Sequence, residues 1–208
     1  MEFMHAVMAR RSIRRFTPQP VPDDVLATIL DAGRRAPSAG GSNSFFFGVV
    51  RDESTRRALA TAAGGQDWIA TAPVVIALCV RLGPDPATVP ADDFGLRVNI
   101  DRFGADLLKH LATFDDRTVA RIYHDNAGPM IPGEHLALAA ASCGLGSCWI
   151  GHLDVRAAGR ILNLPADHAC LFLMPIGYPD EQPAEKALRP LEQCVFYDRW
   201  VGGDTPAG

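Results

Sequence analysis

The chain has little of what marks several common functional classes. Its five cysteines (Cys79, Cys143, Cys148, Cys170 and Cys194) are odd in number and form no CxxC pair. That pattern favours neither a zinc site nor a disulfide framework, and buried free thiols are the expectation. The GxSxG elbow, the HExxH helix motif and the Walker A loop are all missing, so no hydrolytic or nucleotide-triphosphate signature is available. Six histidines (His5, His110, His124, His135, His152 and His168) are scattered without metal-ligand spacing. Each reads more readily as structural than as catalytic, with His135 and His152 of interest because they border a glycine-rich segment. The start, MEFMHAVMARR, has neither the basic leader nor the apolar stretch of a signal peptide. The longest weakly polar run, LALAAASCGLGSCWIG from Leu136, is too short and too glycine-broken to span a bilayer. A cytoplasmic protein with no membrane partner is expected.

Positive charge is also scarce, and it is concentrated. Lys and Arg total 20 against 24 Asp and Glu, a formal net charge of −4. Four of the 20 fall in one stretch, ARRSIRRF, at Arg10, Arg11, Arg14 and Arg15. Nucleic-acid binding requires a basic face that neutralises many phosphates, and one basic spot on an acidic chain does not provide it. The arginine pairs 34/35 and 56/57 lie close to acidic residues and read as solvated helix ends.

What is present suits one α/β (α+β) domain over residues 1–208, with a mixed sheet flanked by helices. Residues 2–10 carry Phe3, Ala6, Val7 and Arg10 on one helical stripe. PDDVLATILDAGRRAP opens with Pro22 and two acids and is expected to be a helix stopped by Pro37. FFFGVV (45–50) reads as a strand with both faces covered, and PVVIALCV from Pro73 as a second apolar strand. A helix is expected over 53–63, a proline-rich loop over 83–93 and mixed helical pattern over 94–122. GEHLALAAASCGL reads as a helix ending on Gly144 at its C′ position. SCWIG (147–151) and CLFLMPIGYP (170–179) are strand-like. The last segment, PLEQCVFYDRW, is too apolar for a frayed tail and requires a surface to cover.

Three clusters can share one ligand. The arginine run supplies forked donors for a phosphate and for carbonyl oxygens. APSAGGSNS (36–44) has side chains small enough for backbone N–H groups to approach a flat ligand. GLGSCWIG (144–151) flanks an aromatic with glycines. Singly, these read as a solvated helix end, an ordinary loop and a helix stop.

Their order changes the reading, because six motifs occur in series: Arg10-Arg11-Ser12-Ile13-Arg14-Arg15-Phe16, Ala36-Pro37-Ser38-Ala39-Gly40, Leu136-Ala137-Leu138-Ala139-Ala140, Gly144 to Gly151, Gly177-Tyr178-Pro179 and Arg189-Pro190-Leu191-Glu192. In this series the chain resembles the nitroreductase family of flavin mononucleotide (FMN) enzymes, over residues 3–200. The resemblance implies a homodimer with two FMN sites at the interface, each lined by both subunits, and a C-terminal extension (190–208) packing on the partner. It places Arg10, Arg11, Ser12 and Arg14 on the phosphate, ribitol and pyrimidine edge from one subunit, and Pro37, Ser38, Ala39, Gly40 and Asn43 on the cofactor from the other. Trp149, Ile150 and Gly151 would lie along the isoalloxazine, and Arg189 would return to the phosphate. No side chain is required as a catalyst, since the cofactor carries the chemistry.

The function so implied is hydride transfer from NADH or NADPH to a nitroaromatic, quinone or similar electron-poor small molecule in a ping-pong cycle. The alternatives are divergent flavin chemistry on the same fold (reductive dehalogenation, flavin fragmentation or substrate dehydrogenation) and a non-catalytic flavin-binding regulator. Two departures are visible. Gly41-Ser42-Asn43-Ser44-Phe45 stands where many members have Asn-x-Gln-Pro-Trp, and Glu134-His135 replaces the usual amide pair. Residues 81–128 match no family motif. The corresponding region in relatives often covers the flavin and selects the substrate.

Overall fold

Alternation of side chains along one strand organises the molecule. In the computed structural model, which describes residues 2–38, 41–125 and 128–199, strand β2 (Val74–Arg81) is buried along all but its last residue. Val74, Ile76 and Leu78 point to one face, and Val75, Ala77 and Cys79 to the other. An apolar run with no polar alternation therefore needs cover on both sides.

One face is covered by α2 (Asp23–Arg34) and α7 (Met130–Ser142), through Leu26, Ile29, Leu136, Ala137 and Ala140. The other is covered by α3 (Glu53–Ala62), a 3-10 turn at Asp67–Thr71 and α8 (Val155–Ile161), through Leu59, Ala60, Ile69 and Ala158. The alanines of α7 let α2 come close. A β carbon on Gly33 of α2 would lie 2.6 Å from Leu136 Cδ2 and 2.9 Å from Phe47 Cζ.

The sheet runs β1 (Phe45–Val50), β2, β4 (His168–Gly177) and β3 (Gly146–Ser147). All three strand pairs are antiparallel, and a parallel bridge between Ser12 and Ser147 adds the mixed character at the β3 edge. The register slips between Leu78 and Cys79, which sets Cys79 opposite Cys170. Helix α1 (Phe3–Ala9) packs on α7, while α4 (Phe94–Phe103), α5 (Asp106–Ala112) and α6 (Arg117–Asp125) form a helical segment between β2 and α7.

Helix ends follow local chemistry. Asp52, Asp93 and Asp154 accept N–H bonds at the starts of α3, α4 and α8. Gly144, at φ +75°, terminates α7 as expected of a C′ glycine.

Four expectations require correction. β1 has only part of its surface covered, because it is an edge strand; Phe46 and Val49 are 46% and 41% exposed. The stripe of α1 buries Ala6 alone and leaves Phe3 and Val7 open. Arg56 is no solvated helix end: its guanidinium donates to the Ala70 and Ala72 carbonyls, fastening α3 to the 3-10 turn. The thiols divide, with Cys79, Cys148 and Cys170 buried, Cys143 half-buried and Cys194 exposed.

Candidate functional site

The arginine segment is pinned to the sheet at both ends. Arg10 N–H closes α1 on the Ala6 carbonyl at 3.0 Å. Ile13 N–H then donates to the Ser147 carbonyl at 3.0 Å, and Thr17 N–H to the Tyr178 carbonyl at 2.9 Å. Ile13 and Phe16 are buried, so the residues between them are forced outward. The Ser12–Ser147 bridge thereby joins the first sequence cluster to the third.

The guanidinium groups differ in their commitments. Arg11 Nη1 donates to the carbonyls of Met8 (2.5 Å) and Arg10 (2.9 Å), and its second Nη and Nε have no partner among the described residues. Arg10 makes one loose ion pair, Nε to Glu134 Oε1 at 3.4 Å. Arg14 lies 6.0 Å from the centroid of the Trp68 ring, a cation–π distance. Arg34, Arg35, Arg51, Arg57, Arg117 and Arg156, by contrast, each hold a carboxylate. Arg15 belongs with that second group, its Nε 3.6 Å from Glu181 Oε2 and its side chain turned to solvent.

Glu181 carries a further duty that the sequence reading missed. Its Oε1 accepts the N–H groups of Arg14 (2.5 Å) and Arg15 (3.2 Å). The Arg14 N–H above all, opposed by burial and aided by the Arg15 N–H and both charges, holds its carboxyl below the usual carboxylate range. A groove of about 410 Å³ runs beside these residues, lined by Arg10, Arg11, Ile13, Gly144, Gly146 and Glu181 among others. Cys148 lies near Ser12 and Arg14, and burial pushes its thiol up despite the Arg14 charge.

Trp149 is linked to Arg10 through Glu134. Its Nε1–H donates to Glu134 Oε2 at 3.1 Å, and its ring meets Phe172 edge-on at 5.5 Å and 84°. The indole occupies the space that a β carbon on Gly133 would fill. Ile150 is buried and paired with Leu173 in both directions (2.9 and 3.1 Å), and Gly151 follows at the surface. Arg10, Arg11, Ser12, Arg14, Trp149 and Ile150 are therefore assembled around β3 and the start of α7. Glu134 and Trp68 join them. Glu134 was visible in the sequence only as a departure, and no spacing rule pointed to Trp68.

The Ser38 loop forms its own turn. Ser38 accepts Gly41 N–H on its carbonyl and Asn43 N–H on its hydroxyl, both at 3.0 Å. Asn43 adopts φ 46°, a left-handed conformation that asparagine tolerates better than the longer glutamine. Pro37 is exposed at the mouth of this turn; Ala39 and Gly40 lie outside the described residues. None of the turn's described hydrogen bonds reaches the arginine segment. Arg189 is also apart, on an exposed stretch before a 3-10 turn at Leu191–Gln193, with no hydrogen bond or ion pair among the described residues. His135 Nδ1 faces the Ala32 carbonyl at 3.2 Å and His152 packs on Gly64, both structural positions.

Comparison with known proteins identifies the family. Residues 7–178 match the model of the nitroreductase family. The chain is 32% identical over 195 residues to an NADH dehydrogenase of Thermus thermophilus, covering 92% of this chain and 94% of that protein. It is 30% identical over 199 residues to an NADPH-flavin oxidoreductase of Vibrio harveyi, covering 95% and 74%. Its fold superposes on the solved NADPH:FMN oxidoreductase of V. harveyi in complex with NAD+ with a TM-score of 0.71 at 27% identity, over 97% of this chain and 79% of that one. A match over most of the chain, with relatives at this identity, establishes the assignment: the chain belongs to the nitroreductase family.

Proposed function

We propose that this chain is an FMN-dependent oxidoreductase that takes hydride from NADH or NADPH and delivers it, in a ping-pong cycle, to a nitroaromatic, quinone or similar electron-poor small molecule. The observation that carries the reading is the pair of guanidinium groups of Arg10 and Arg11 lining one groove, with that of Arg14 on the same short segment held by no carboxylate among the described residues. Guanidinium groups that are held by at most one loose carboxylate among the described residues are a donor set for an oxyanion, and the donors here suit a phosphate attached to a flat ring. The names of the relatives, an NADPH-flavin oxidoreductase and an NADPH:FMN oxidoreductase among them, support that choice of ligand.

The residues fit such a cofactor by type. Arg10, Arg11, Ser12 and Arg14 would take its phosphate, ribitol and pyrimidine edge, and Trp149, Ile150 and Gly151 would lie along its ring. When bound, FMN supplies the hydride-transfer chemistry of the reaction. The chain's own part is to bind, orient and bias charge. A charge-assisted hydrogen bond contributes about 1.5–3 kcal/mol, so two or three arginines are sufficient to hold a dianion without a Walker loop. A guanidinium near the pyrimidine edge favours negative charge there. The Ile150–Leu173 pairing would hold rigid the residues that take the ring.

The site would be completed by a second copy, with Pro37, Ser38, Ala39, Gly40 and Asn43 as contributors, and Arg189 would return to the phosphate. Exposed apolar surface supports a homodimer. Leu188, Leu191, Val195, Phe196 and Tyr197 are exposed to solvent, with Tyr197 85% exposed. An apolar groove of about 410 Å³ lies between α1 and α7, lined by Phe3, Ala6, Leu138 and Ala139 among others. Surface of this kind is uncommon on a monomer. We assign the segment from 190 onward to the partner's surface; its residues 200–208 lie outside the described residues.

The test is one preparation. Purified protein should be yellow or take up added FMN, be bleached anaerobically by NADH or NADPH, and recover colour on adding a nitroarene or quinone. A colourless protein that binds no FMN overturns the reading. A yellow protein bleached by neither nicotinamide shifts it to the regulator or to divergent flavin chemistry.

A further inference from the structure

Glu134 is a carboxylate set among the arginines and glycines of the candidate site, and both of its oxygens are engaged. Oε1 faces Arg10 Nε at 3.4 Å, and Oε2 accepts the Trp149 indole N–H at 3.1 Å. Its two partners come from distant parts of the chain, one from the segment that leaves α1 and the other from the segment that follows β3. Glu134 therefore ties together the two walls of the site from the first turns of α7.

The pair reaches solvent and is not part of the core, since the side chains of Arg10 and Glu134 are 27% and 45% exposed. The indole's plane is set by packing. Gly133, the preceding residue, has no β carbon where the indole lies, and Phe172 meets the ring edge-on. Its orientation within that plane is set by the directional bond from Nε1 to Glu134. The carboxylate also occupies part of Arg10, a residue otherwise free to receive an anion.

Resting on the flavin reading above, we propose that Glu134 is a positioning residue that fixes the Trp149 indole for the cofactor's ring and holds Arg10 in the unliganded protein, yielding it to the anionic group of FMN. Two consequences follow from its two oxygens. As a hydrogen-bond acceptor it orients Trp149, a duty that an amide oxygen can perform. As a charge it competes with the cofactor for Arg10, a duty that an amide cannot perform.

Glu134→Gln and Glu134→Ala separate the duties. Trp149 emission is measured in unliganded protein as the difference from a Trp149→Phe background, and FMN affinity by titration, with circular dichroism as the check on folding. Glu134→Gln should keep the Trp149 emission of the wild type and bind FMN about two- to fivefold tighter, the effect of removing a half-exposed competing charge. Glu134→Ala should shift the Trp149 emission. Unchanged or weaker FMN binding by Glu134→Gln overturns the competition, and wild-type emission in Glu134→Ala overturns the positioning. If the wild type binds no FMN, the proposed function and the competition both fall, and the emission of the unliganded variants still decides whether Glu134 positions Trp149.

Discussion

The β carbon that Gly146 lacks would lie 2.5 Å from Ile13 Cγ1 and 2.7 Å from Ile13 Cβ. That closeness is what allows the Ile13 N–H to reach the Ser147 carbonyl and the arginine segment to lie flat on β3. Gly146→Ala should force the segment off the strand. We expect a loss of about 1–3 kcal/mol, the usual cost of overpacking, read by thermal or denaturant unfolding, together with weaker FMN retention. Full stability and full retention in this variant would show that the contact does not position the arginines.

The open guanidinium groups give a second prediction. Arg10→Ala and Arg14→Ala should each weaken FMN binding about tenfold or more, the equivalent of one charge-assisted hydrogen bond, while leaving the unfolding transition nearly unchanged. Arg15→Ala, which removes only an exposed contact with Glu181, should leave the affinity close to wild type. Equal affinities across all three would remove the arginine run from the site.

The helical segment between β2 and α7 is clamped by a forked ion pair. Arg117 Nε and Nη2 donate to Asp85 at 2.7 and 2.6 Å, and Arg121 donates to the Leu82 and Gly83 carbonyls. The Arg117 bond, opposed by burial and aided by the Ala87 N–H, lowers the Asp85 carboxyl to about 2. Its folded value thus lies below the unfolded one of about 3.9. The clamp's contribution is fully present above that unfolded value and is lost as the pH falls from about 4 towards 2. Asp85→Asn should reproduce the acid state at neutral pH, with faster hydrogen exchange over 83–125. Exchange identical to wild type would refute the clamp.

The exposed C-terminal apolar residues give the last prediction. Phe196→Asp combined with Tyr197→Asp should halve the mass measured by light scattering, because a charge buried without a partner opposes association. A dimer of unaltered affinity would place the interface elsewhere.

Several elements were legible because their chemistry is local. The end of α7 at Gly144 needed only a residue at ease with positive φ, and β2 needed only a run of apolar residues. The arginine run and GLGSCWIG were legible as a family series, and the structure joins them through the Ser12–Ser147 bridge. Glu181 and Trp68 were not legible, since each lies far along the chain from the arginines it serves and carries no spacing signature. Helix α8 was not read from the sequence.

The order of apolar and polar residues determined which segments became strands and helices, and the six motifs determined the family. These depend on neighbours within a few positions, or on a series that survives in one dimension. Tertiary structure alone decided that β1 lies at an edge with Phe46 open, that Arg56 serves carbonyls while Arg14 stays available, and that Glu134 joins Arg10 to Trp149. Those outcomes depend on which distant groups share a few ångströms of space. Burial and charge pairing act through that space, and the order of residues along the chain does not specify it.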